Sequence, residues 1–193
     1  MRSDPAQRVL LYDESIRPRL LSRLWSLSSR LDTSTRIYGV SSWDELYARL
    51  ELIQRAPGPI RELQLWCDEW RSVPQIADQI VDLLRLADAL GVDPSDPEPH
   101  LELVWFRCCD VARSWDFMRA AARVLGCPVA AHTVAVCGPL TLRQRGLCVV
   151  TPADAEHPGP WYGDGASLPA ASALQVQLSG RVRRRAIDQS AQG

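Results

Sequence analysis

Short unbroken apolar runs alternate along this chain with longer stretches whose apolar residues recur at helical spacing, a pattern of strands exchanged with helices. The run Arg8 to Tyr12 predicts a buried first strand. Asp13, Glu14 and Ser15 then offer caps to a helix with Pro18 in its first turn, where a missing N–H costs little, and with Ile16, Leu20, Leu24, Leu27 and Leu31 on one face. Arg36 to Val40 predicts a second strand. Ser42 and Glu45 form a Ser-x-x-Glu capping box that opens a helix through about Leu52. The segment Ala56-Pro57-Gly58-Pro59 breaks the chain before a third strand, in the apolar run Glu62 to Trp70.

The rhythm continues beyond Trp70. Ser72, Val73 and Pro74 predict a helix start, after which Ile76, Ile80, Leu83, Leu84, Ala87 and Leu90 share a face and Gly91 supplies a left-handed stop. Asp93 to Pro99 reads as a loop, and Leu101 to Cys108 as a fourth strand. A helix is expected near Ser114 to Leu125, ending at Gly126. A fifth strand is expected over Pro128 to Val136, and a sixth over Gly146 to Val150 as the return arm of a hairpin. Strands and helices alternating at this length predict a three-layer α/β domain with a mainly parallel sheet of about five or six strands. The chain turns rich in Pro, Gly, Ala and Asp from about Pro152, and the domain is expected to span residues 1–165, with 166–193 an extension that from Ser179 onward is a frayed tail.

Composition narrows the function classes. At 193 residues and 46% hydrophobic the chain suits one well-buried domain. A net charge of −1 gives no global electrostatic reason to bind nucleic acid or an anionic membrane, and the arginines at Arg181 to Arg185 read as solvated tail. Lysine is absent, which excludes Schiff-base chemistry and a P-loop lysine. With no leader-like segment and no apolar stretch of bilayer length, the expectation is a cytoplasmic protein. Six cysteines without C-x-x-C spacing are then expected to be reduced thiols.

Chemistry is expected where the strands end. If the first, third and fourth strands lie side by side, their carboxyl ends gather Asp13 and Glu14, Cys67 with Asp68 and Glu69, and Cys108 with Cys109 and Asp110. Strand periodicity puts Arg107 and Cys109 on one face and Cys108 on the other, and a guanidinium beside a thiol favours the thiolate. A buried Arg107 needs a carboxylate, for which Asp68 or Asp110 is the expected partner. His132, in the fifth strand, is the imidazole nearest to hand, though a strand histidine is more often structural. Asp13, Asp68 and Asp110 could hold Mg²⁺ through oxygen ligands. Zinc on Cys67, Cys108, Cys109 and His132 is disfavoured, because adjacent thiols do not easily face one ion. Trp66, Trp70, Trp105, Trp115 and Trp161 offer either core packing or an aromatic contact surface.

The segments Leu63 to Glu69 and Leu103 to Cys109 resemble the caspase-like superfamily of cysteine peptidases, which includes caspases, gingipains and bacterial CHAT domains. The chain looks most like small bacterial relatives of unknown function. In that superfamily a histidine followed by glycine ends the third strand and the nucleophilic cysteine ends the next. Cys109 falls at the cysteine position, whereas Asp68 falls at the histidine position and Glu69 at the glycine. An aspartate, with an ordinary pKa of about 3.9, is a poor base toward a thiol of about 8.5. The resemblance therefore implies a caspase-like α/β fold with a degenerate site, a catalytically inactive protein-interaction or regulatory module that binds a protein or peptide and needs no cofactor. Arg107, Asp110, Asp13, Glu69 and Trp70 would line its binding surface. An active cysteine hydrolase using Cys109 with His132, and a Mg²⁺-dependent enzyme on the acidic rim, are the alternatives.

Overall fold

A computed structural model describes residues 7–15, 35–93, 101–133 and 147–153. In chain order its elements are β1 (Gln7–Asp13), β2 (Thr35–Val40), α1 (Trp43–Gln54), β3 (Ile60–Trp66), β4 (Asp68–Trp70), β5 (Val73–Ile76), β6 (Gln79–Ile80), α2 (Leu83–Ala89), β7 (Leu103–Phe106), a 3-10 turn (Val111–Arg113), α3 (Trp115–Leu125), β8 (Val129–His132) and β9 (Leu147–Val150). The helix expected over 16–31, most of the loop before the fourth strand, positions 134–136 of the fifth strand, and the extension with its tail lie outside the described residues.

The architecture is α/β, with a mainly parallel sheet as expected. Six strands form it in the order β2-β1-β3-β7-β8-β9. Every neighbouring pair is parallel except β8 and β9, which are antiparallel, as a hairpin return requires. The side chains alternate between the two faces. Val9, Leu11, Leu63, Leu65, Val104, Phe106, Val129, Ala131 and Val150 join the buried faces of α1, α2 and α3 in one core. Leu103, Trp105, Ala130, Leu147 and Val149 pack together on the opposite face, as do Leu10 and Trp66. Both faces are buried, which is why these strands read as continuous apolar runs rather than as alternating ones.

The helix ends follow local chemistry. Ser42 caps α1 by accepting from the Glu45 amide, but Glu45 closes its half of the box on the Ser41 amide and hydroxyl, one residue earlier than the motif implies. Ser114 caps α3, which stops at Gly126 with φ of +62°. Past α2, the Gly91 amide donates to Asp88 and the Val92 amide to Ala87, a Schellman stop with Gly91 at φ +63°.

One expectation fails. Instead of a helix opening at Ser72, the chain forms a small antiparallel sheet, β4-β5-β6, and α2 begins only at Leu83, with Asp82 as its N-cap. Two tight turns make the difference: Arg71 and Ser72 both have positive φ, and so do Ala77 and Asp78. Consecutive left-handed residues are the geometry of type I′ hairpin turns. Neither pair carries the glycine that normally signals such a turn.

Replacement of Leu63, fully buried in the helix-side core, by alanine is expected to cost about 2 to 5 kcal/mol in urea unfolding. Leu84→Ala, at a residue 73% exposed, is expected to change stability by no more than about 0.5 kcal/mol.

Candidate functional site

The sheet places β1, β3 and β7 side by side and parallel, so their carboxyl ends share one edge. Leu65 stands opposite Phe106, and the ladder continues when the Arg107 amide donates to the Leu65 carbonyl. Two residues further along each strand, Cys67 and Cys108 face each other with sulfurs 2.8 Å apart, both buried in the helix-side core. Burial, followed by its Cys108 neighbour, pushes the Cys67 thiol well above its ordinary range. Asp13, also buried, lies close enough to add to that shift, and its Oδ1 accepts from the Ser15 amide.

The opposite face carries a row of polar side chains. Arg8 Nε donates to Glu62 Oε2 at 2.9 Å, and Gln64 Nε2 donates to Glu62 Oε1 at 2.6 Å. Gln64 Oε1 then accepts from Arg107 Nη1 at 2.9 Å. The Arg107 guanidinium lies over Trp66 at 4.1 Å and over Trp105 at 4.7 Å. Its pKa falls to about 9, because desolvation outweighs the support of the Glu62 carboxylate. Among the described residues the carboxylate that supports Arg107 is Glu62, with Gln64 bonded between them, and neither Asp68 nor Asp110 as the sequence suggested. Asp110 pairs with Arg113 at 3.2 Å.

His132 ends this row. It is fully buried, and its Nε2 accepts from Trp105 Nε1 at 3.3 Å. The accepting nitrogen carries no proton, so the neutral ring is protonated at Nδ1, which has no hydrogen-bond partner among the described residues. Desolvation and then the Arg107 charge lower its pKa to about 3.

The remaining candidates do not form one cluster. Cys109 follows β7 with intermediate exposure. Asp68 is exposed at the start of β4, and its Oδ1 accepts from the Glu69 amide. Glu69 accepts from the Ser72 amide and so holds the Arg71–Ser72 turn. Trp70 is half-exposed, with the Arg71 guanidinium 4.4 Å from its ring centre. Trp66 and Trp105 are buried, whereas Trp161, His100 and His157 lie outside the described residues. Among the described residues no three His, Cys, Asp or Glu side chains are placed to hold a metal ion, so the Mg²⁺ reading gains nothing from Asp13, Asp68 and Asp110. No described helix is long and apolar enough to cross a membrane.

Sequence reasoning missed Glu62 and Gln64. Their signal was present as two polar residues at period two inside an apolar run, where only a partnered polar row is tolerated. No protein-family model and no curated protein matches the chain.

His132 makes stability depend on pH. Its folded pKa of about 3 lies below the unfolded value of about 6.5, so the unfolded chain binds more protons between the two. The associated stability is complete above pH 6.5 and is lost as pH falls toward 3. Urea midpoints measured from pH 7 to pH 4 are expected to fall, and to fall less steeply in His132→Gln, whose amide can still accept from Trp105. Equal slopes in the two proteins would remove His132 as the cause.

Proposed function

We propose that this domain is a non-hydrolytic module of caspase-like architecture that binds a protein or peptide partner at the strand-end rim. The observation that carries the reading is the state of His132, the sole histidine among the described residues. Its ring is inside the core, its Nε2 is taken by Trp105, and its proton affinity is depressed by burial and by Arg107. A general base toward a thiol needs the opposite properties: access to the sulfur and a pKa near the working pH. Asp68 and Cys109 follow adjacent parallel strands, the arrangement the resemblance implies, and the residue at the base position is an exposed carboxylate. Trp70, half-exposed on the small sheet that grows out of β3, supplies the kind of aromatic surface that anchors partners.

Three measurements test the reading together. Incubated with a random peptide library, the chain is expected to produce no cleavage that Cys109→Ala abolishes. At pH 6, iodoacetamide is expected to label Cys109 no faster than it labels a short cysteine peptide. Cysteine-dependent cleavage, or labelling about tenfold faster than the peptide, would establish an activated nucleophile and overturn the proposal. Peptides selected from the same library for binding are expected to lose at least about fivefold in affinity, roughly 1 kcal/mol, against Trp70→Ala.

A further inference from the structure

We propose that Cys67 and Cys108 are a redox pair that closes into a disulfide when the protein meets a peroxide, clamping β3 to β7 directly beneath the strand-end rim. The two thiols occupy corresponding positions on neighbouring parallel strands, two residues beyond the paired Leu65 and Phe106. Neighbouring strands run about 4.8 Å apart, within the range of Cα separations that disulfides bridge. Their sulfurs already touch at 2.8 Å, and both cysteines are free. Burial first, and the Asp13 charge on β1 with it, disfavour a thiolate at Cys67.

The chemistry balances with one peroxide. The first sulfur attacks a peroxide oxygen, the O–O bond breaks, and the departing oxygen takes the thiol proton and leaves as water when the peroxide is hydrogen peroxide. The resulting S–OH is attacked by the second sulfur; the S–S bond forms, the S–O bond breaks, and the hydroxide leaves with the second thiol proton as water. Two thiols lose two electrons, and the peroxide gains them. Cys109, the neighbour of intermediate exposure, is not needed for the clamp. The inference does not rest on the non-hydrolytic reading, since the clamp forms with or without peptidase activity.

The test is a disulfide map of the full chain treated with hydrogen peroxide in native buffer, then denatured, alkylated and digested without reductant. A peptide pair joined through Cys67 and Cys108, two hydrogens lighter than the separate thiol peptides, is expected in the wild type and in Cys109→Ser. It is expected to vanish in Cys108→Ser. The linked protein closes a loop between cysteines 41 positions apart, and it is expected to melt about 5 °C or more above the reduced form. Recovery of Cys67 and Cys108 as alkylated thiols after Cys109 has been oxidised, a bond from Cys108 to any other cysteine, or a linked protein with an unraised midpoint would each overturn the proposal.

Discussion

A partly buried guanidinium organises one face of the sheet. Withdrawing such a charge from solvent is costly, so Arg107 has to be met by groups that restore part of its hydration. Trp66 and Trp105 cover its faces, and Gln64 accepts one of its protons while passing the other end of its amide to Glu62. Glu62 is itself anchored by Arg8. Within this row one carboxylate lies between two cations, and an imidazolium at the far end would add positive charge to an already positive line. Burial first, and the Arg107 charge second, hold His132 neutral and leave it as an acceptor for Trp105.

The other face of the same strands is built on a different principle. Apolar residues continue unbroken from Leu63 through Leu65 to Cys67 and from Val104 through Phe106 to Cys108, so the core runs to the end of the sheet and stops in sulfur. The strand pattern then ends on both chains. β3 passes into the small antiparallel sheet at Asp68, and β7 gives way to a 3-10 turn after Asp110, whose φ is +52°. Arg107 and Cys108 therefore mark the last ordered alternation of the sheet, one facing the polar row and the other the thiol contact. Asp68 and Cys109 come immediately after it, placed by two frameworks that share a strand but not a face.

Much of this was legible in the sequence because both faces of a parallel sheet are buried, and such strands are written as solid apolar runs. The five parallel strands, the antiparallel return, the Ser42 cap and the glycine stops at Gly91 and Gly126 all follow from that writing and from elementary cap chemistry. The small sheet was not legible. Ile76, Ile80, Leu83 and Leu84 keep a helical spacing, and the turns that break it rest on Arg71, Ser72, Ala77 and Asp78, residue types with no strong claim to left-handed backbone, apart from Asp78. At the rim, the sequence located the strand ends but not the direction of each side chain. It assigned Arg107 to an acidic partner beyond the strand, when the partner was two residues back on the adjoining strand at Gln64.

The two groups at candidate base positions are unsuited to a thiol for different reasons. His132 is chemically suited to take a thiol proton, but burial and Arg107 bring its pKa to about 3. A carboxylate at position 68 is the wrong chemical type for the task, since general bases toward thiols are most often imidazoles. Recovering His132 would mean breaking its bond to Trp105 and moving an Arg107 that Trp105 and Gln64 hold in place, which would dismantle the row that gives the sheet its polar face. A local substitution at position 68 meets no such obstacle, because Asp68 is exposed and bonded only to its own neighbour's amide among the described contacts. The groups at the two candidate positions are thus fixed differently, His132 by the core around it and Asp68 only by a local contact at the surface.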